Sequence, residues 1–139
     1  MGARFCIGTV VDARKGIALL EVSLISIDVL LDFVSCQEDQ DGEDYRTHMR
    51  PLRFAVMEGP GDPDHLSLWA DAKGWSSSAV VEALELGIFL LERHGPAWKG
   101  DPDWLPAGID PATLMGLLQA AVASIRDSDP PELLTWVQH

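Results

Sequence analysis

"IALLEVSLISIDVLLDFVS", residues 17–35, decides the fold, because it reads in two ways. Ile17, Leu20, Leu24, Ile27, Leu31 and Val34 fall on one helical stripe, with Glu21, Asp28, Asp32 and Ser35 on another. Yet Val22, Leu24, Ser26 and Asp28 also alternate in the manner of a strand, and the run is rich in the β-branched residues that favour pleated sheet. Periodicity does not choose between helix and strand for an apolar run of this kind. The neighbours do. Both flanking segments read as hairpins, so the sequence predicts a strand, bulged near Leu24–Ile25 where the alternation changes phase. The competing reading is a helix over 26–35.

Upstream, "RFCIGTVVD" (residues 4–12) has the composition of a strand, and "DARKG" places Gly16 where a tight turn wants a positive φ. Downstream, "CQEDQDGEDYR" (residues 36–46) carries five carboxylates around an Asp41-Gly42 pair. Asp-Gly is a common two-residue hairpin turn, so 37–46 is predicted to be an exposed hairpin tip. In 51–72, Leu52, Phe54 and Val56 alternate with Arg53 and Ala55, while Leu66, Leu68 and Ala70 alternate with Ser67 and Trp69. These predict a third and a fourth strand joined through a loop rich in Gly and Pro.

After Gly74 the period changes. Ser76–Ser78 supply N-cap candidates for a helix over 77–94, with Arg93 and His94 at its negative end and Gly95-Pro96 as the stop. Its polar stripe is narrow, Glu82, Glu85 and Glu92, and Val80, Val81, Leu84, Ile88, Phe89, Leu90 and Leu91 fill the rest. A helix so apolar needs cover on more than one side, from the sheet and from either a second helix or another copy of the chain. That second helix begins at Asp110-Pro111 and carries Leu114, Leu118, Ala121 and Ile125. "PPELLTWVQ" at the end predicts a short helix or a docking segment. Strands followed by helices argue an α+β fold: a four-stranded antiparallel meander with two helices on one face, in a single domain over 1–139.

Composition bounds the function. The chain has 139 residues, with 22 acids against 10 bases, for a formal charge of −12. Such a chain repels phosphate backbones, so nucleic acid is not an expected partner, whereas cationic surfaces are. Glu21, Asp28 and Asp32 interrupt the one long apolar run, which argues against a membrane span. No secretory leader pattern opens the sequence, and Cys6 and Cys36 have no metal-ligand spacing, so free thiols and a cytoplasmic location are expected.

Aligning Gly42 with the invariant glycine of a calcium loop puts Gln37 at its first position and His48 at its last, where a bidentate Glu belongs. That argues against a calcium site. The four histidines form no ligand pair, although Asp62, Asp64 and His65 share one loop and could join His94 in a dispersed pocket between sheet and helices. No cofactor motif and no nucleophile elbow is present, and neither cofactor nor metal is expected. The segment 95–108 joins the helices and holds Trp98 and Trp104, residues of the kind that anchor interfaces.

These observations predict a non-catalytic acidic module that binds a more basic protein, in the manner of a bacterial immunity protein facing a toxin or of an escort chaperone. Glu38, Asp39, Asp41, Glu43 and Asp44 would meet Lys or Arg, and Trp98 and Trp104 would supply buried area. A small-ligand protein or enzyme built on the dispersed pocket is one alternative. An accessory homodimer through the 77–94 helix is the other.

Overall fold

The computed structural model describes residues 3–9, 11–12, 15, 17–57, 74–98 and 111–138, without the side chains of 57 and 96–98. Strand β1 (Arg4–Gly8) pairs antiparallel with β2 (Leu20–Ser23), Phe5 opposite Val22 and Ile7 opposite Leu20. Helix α1 (Leu24–Asp41) follows directly, then α2 (Arg50–Met57), a two-residue β3 (Trp75–Ser76), α3 (Ser77–Trp98), α4 (Pro111–Ser128) and β4 (Glu132–Gln138). The sheet order is β2-β1-β4-β3, and every pairing is antiparallel. The α+β class and the four-stranded antiparallel sheet are therefore as expected, but the strand order is not that of a meander, two of the strands come from unexpected segments, and four helices are described where two were expected.

The stretch 17–35 divides its two readings at Ser23. Its first part is strand β2. From Leu24 the chain is helical, where a bulged strand was expected, because Ile27, Leu30, Phe33, Val34 and Gln37 recur at helical spacing on a buried face. Val29 and Ser26 are buried too, so the apolar residues spread around the helix and blur its period. The acidic stretch is not a hairpin tip either. Helix α1 runs through Asp41, and Gly42 uses its positive φ of 68° as the left-handed residue that ends the helix, its N–H donating to Glu38 O at 2.9 Å.

Residues 51–57, read as a strand, are helix α2. Met49, Leu52 and Ala55 are buried at three-residue spacing, while Arg53 and Phe54 are only half-buried. Pro51 sits in the first turn, where its missing N–H costs nothing. The expected fourth strand, at 66–72, lies outside the described residues.

The terminal segment, expected as a short helix or a docking segment, is not a helix. It is β4, hydrogen-bonded on both sides, and Leu133 to Val137 are all buried. A strand covered on both faces shows no polar alternation, which is why its period is invisible in the sequence. Leu133 joins Phe5, Ile7, Leu20 and Val22 in the core that receives the helices, while Cys6, Leu134 and Trp136 cluster separately with Ala18. Thr135 Oγ1 donates to the Pro51 carbonyl at 2.7 Å and ties the sheet to α2.

Helix α3 extends to Trp98, past the Gly95-Pro96 stop. It starts as expected, with Ser76 Oγ accepting the Ala79 N–H at 3.2 Å. Its neighbour α4 is antiparallel: Gly95 lies over Pro111, Gly87 on Leu118, and Glu85 pairs with Arg126. A Cβ at Gly87 would stand 3.2 Å from Leu118 Cδ1 and 3.4 Å from Leu30 Cδ1, so the missing side chain lets α3 approach α4 and α1 together. Val80, Ala83, Leu84, Leu90 and Leu91 are all buried, and the cover expected for this apolar helix comes from within the chain.

Candidate functional site

The acidic stretch folds into the corner between the end of α1 and the side of α3, and its five carboxylates take different roles. Glu38 turns back over the corner. Its Oε2 accepts the backbone N–H groups of Tyr45 and Arg46 at 2.8 Å each, and its Oε1 meets Arg46 Nε at 3.0 Å. Asp41 Oδ2 accepts the Tyr45 hydroxyl at 2.8 Å and lies 3.9 Å from His94 Nε2 on α3. The latter separation is too long for a hydrogen bond. Accepting this bond, Asp41 holds the Tyr45 phenol above its usual pKa, with burial adding to the effect, so the hydroxyl remains a donor. Asp44 closes the next turn, accepting the Thr47 N–H at 3.3 Å and the Thr47 hydroxyl at 2.8 Å. These bonds keep its carboxyl below the ordinary range.

Asp39 and Glu43 are exposed and form no ion pair among the described residues. Of the five, then, three build the corner and two are exposed with no ion pair among the described residues. Between the corner and α3 lies an open groove of about 340 Å³, lined by Glu43, Asp44, Tyr45, His48, Glu82 and Leu86. It gathers three carboxylates from two elements with one phenol, one imidazole and an aliphatic side chain. Such a lining suits a cationic group on an apolar stem. Among the described residues no cluster of His, Cys, Asp or Glu is arranged to hold a metal ion.

Sequence reasoning had found Glu43 and Asp44 but not the rest of the lining. Glu82 reads from the sequence only as part of the polar stripe of the 77–94 helix, and its approach to residue 44 depends on how α3 packs, which local sequence does not encode. Trp98 is the last residue of α3, and Trp104 lies outside the described residues, as do Asp62, Asp64 and His65. His94 does not cap a helix end, since α3 continues beyond it.

The thiols are not primed for chemistry. Burial, helped by Glu21, pushes Cys6 up to about 11, and burial with Asp32 and Asp39 pushes Cys36 up as well. No described helix is long and apolar enough to cross a membrane. Comparison with protein-family models, curated proteins and solved structures finds no match to this chain.

Proposed function

We propose that the chain is a non-catalytic acidic module that binds a more basic protein, neutralising or escorting it. The observation that carries this reading is the groove between the 43–48 turn and α3, where Glu43, Asp44 and Glu82 converge with Tyr45 and Leu86 beside them. A Lys or Arg side chain would lay its aliphatic stem along Leu86 and its charge among the carboxylates. The surplus charge of −12 would steer the encounter, raising association rates by roughly 10–1000-fold at low salt. An immunity protein facing a basic toxin and an escort chaperone are both roles of this kind, acting by steered association and steric block.

The test is a set of charge reversals confined to carboxylates that do not hold the corner together: Asp39→Lys, Glu43→Lys and Glu82→Lys. The partner is the basic protein recovered with the chain from its native cells at low salt. Association should slow at least tenfold, and its salt dependence should flatten. Rates that stay unchanged in all three variants would remove the acidic surface from the account.

A further inference from the structure

Among the residues that line the groove, His48 alone carries a side chain able to turn positive. It lies with Glu43, Asp44, Tyr45, Glu82 and Leu86, and it is exposed, so protons reach it directly from solvent. Imidazole is the ordinary side chain that gains or loses charge between about pH 5 and 8. Carboxylates ordinarily titrate near about pH 4 and phenols near about pH 10, outside that range. In the groove, bonds from the Thr47 hydroxyl and N–H hold Asp44 further down, and the bond to Asp41 holds Tyr45 further up. Behind Tyr45 stand Asp41 of α1 with Arg93 and His94 of α3, none of which lines the groove. Acidification through the imidazole range therefore changes one charge in the lining, and places it among the three carboxylates that would receive a guest cation.

We infer that the groove is an acid-release site, in which protonation of His48 expels the cationic side chain held there at neutral pH. This rests on the basic-partner reading and adds its regulation. The imidazolium competes with the guest for the same carboxylates and repels the guest's charge. Lys and Arg keep their charge throughout this range, so the change comes from this chain and not from its partner. The effect is reciprocal: a guest that prefers the neutral ring makes His48 harder to protonate by the same factor. One unit charge acting across an open, wet groove alters affinity by about three- to tenfold.

Calorimetric titrations of the full chain with tetralysine, at low salt and at about pH 7.5 and about pH 5.5, read the effect. Binding should weaken about three- to tenfold in acid. His48→Gln should bind equally at both pH values, and His48→Lys should bind weakly at both. His94→Gln removes an imidazole from outside the groove and should keep the wild-type pH dependence. In NMR titrations, the midpoint for the His48 ring should fall by about 0.5–1 pH unit when tetralysine is present.

Equal affinity at both pH values, or a pH dependence that survives His48→Gln, would overturn the switch and leave the basic-partner reading intact. An equal loss of pH dependence in His48→Gln and His94→Gln would assign the effect to the overall field of the chain and overturn the switch as well. Failure to bind tetralysine at either pH would remove both readings.

Discussion

Replacing Glu38 by Ala is the sharpest test of how the acidic corner is built. The substitution removes the acceptor of two backbone N–H groups and the partner of the Arg46 side chain. The Tyr45 N–H is partly buried, and its bond to a carboxylate belongs to the stronger class, worth about 1.5–3 kcal/mol. The Arg46 N–H is exposed, so water replaces its acceptor at little cost. The Arg46 side chain is about half-exposed, and such a pair contributes only about 0.2–1 kcal/mol. Together these give a loss of about 2–4 kcal/mol. At a urea m-value of about 2 kcal/mol/M, the unfolding midpoint should fall by about 1–2 M with m unchanged.

Asp39→Ala, one residue away, is the control. It removes an exposed carboxylate with no ion pair among the described residues from the negative end of α1, and should stabilise by at most about 1 kcal/mol, opposite in sign to Glu38→Ala. If Glu38→Ala shifted the midpoint no more than Asp39→Ala, the corner would not depend on its carboxylate and the division of roles would be wrong. The contrast also bears on binding experiments. A charge reversal at Glu38 unfolds part of the surface being tested, so a loss of affinity there says nothing about contact.

Other outcomes follow from single observations. Burial and the neighbouring Asp32 raise the pKa of Asp28 above 3.8, so the folded chain holds this proton more tightly than the unfolded chain does. The ionised group therefore costs stability above its folded pKa, and the cost vanishes as pH falls to 3.8. Asp28→Asn should raise the thermal midpoint at pH 7 and have no effect on it in acid below that value, as followed by circular dichroism. Two glycines of the α3–α4 pair, Gly87 and Gly116, should respond with opposite signs in urea titrations. Gly87→Val forces methyl groups against Leu118 and Leu30 and should cost about 1–3 kcal/mol. Gly116→Ala adds a Cβ with nothing within 4 Å on an exposed helix surface and should stabilise by about 0.5–1 kcal/mol.

The legible parts of the fold were those with a one-sided environment or with clear start signals for a helix. The first hairpin was readable because Phe5, Ile7, Leu20 and Val22 face one core. Helices α3 and α4 were readable because Ser76 and Pro111 mark their starts and their buried residues repeat at helical spacing. The reading failed where cover comes from several sides. Seven residues of α1, from Ser26 to Gln37, are buried around much of its circumference, so its Ile and Val content looked like a strand. The alternation of Leu52, Phe54 and Val56 was a coincidence of composition. The spacing of Arg46, Arg50 and Arg53 at four and three residues was the helical signal available there. Gly42 shows the remaining ambiguity, since an Asp-Gly pair serves a hairpin turn and a helix C-cap equally well. Of the candidate site, Glu43 and Asp44 were visible, but Glu82 and Leu86 reach the groove only through tertiary packing.

The positions of Asp39 and Glu43, the two acids that do not build the corner, argue that stability of the free chain is not what placed them. The C-terminal end of a helix carries partial negative charge, and α1 ends in Glu38, Asp39 and Asp41 with no basic residue in its last turn. An unfavourable charge at a helix end costs about 0.3–1 kcal/mol where no compensating bond forms, and Asp39 has no ion pair among the described residues. Conflicts of this sort between local preference and fold concentrate at functional sites. They also give salt two opposite effects. Raising sodium chloride from about 0.01 M to 0.15 M shortens the screening length from about 30 Å to about 8 Å. The repulsion among Asp39, Glu43 and their neighbours should relax, so the free chain should unfold at a higher urea concentration. Over the same range, its complex with a cationic protein should weaken, because the same carboxylates then attract less. A free chain that loses stability as sodium chloride rises would mean that its carboxylates are balanced within the fold, and the unmatched surface on which the binding proposal stands would not exist.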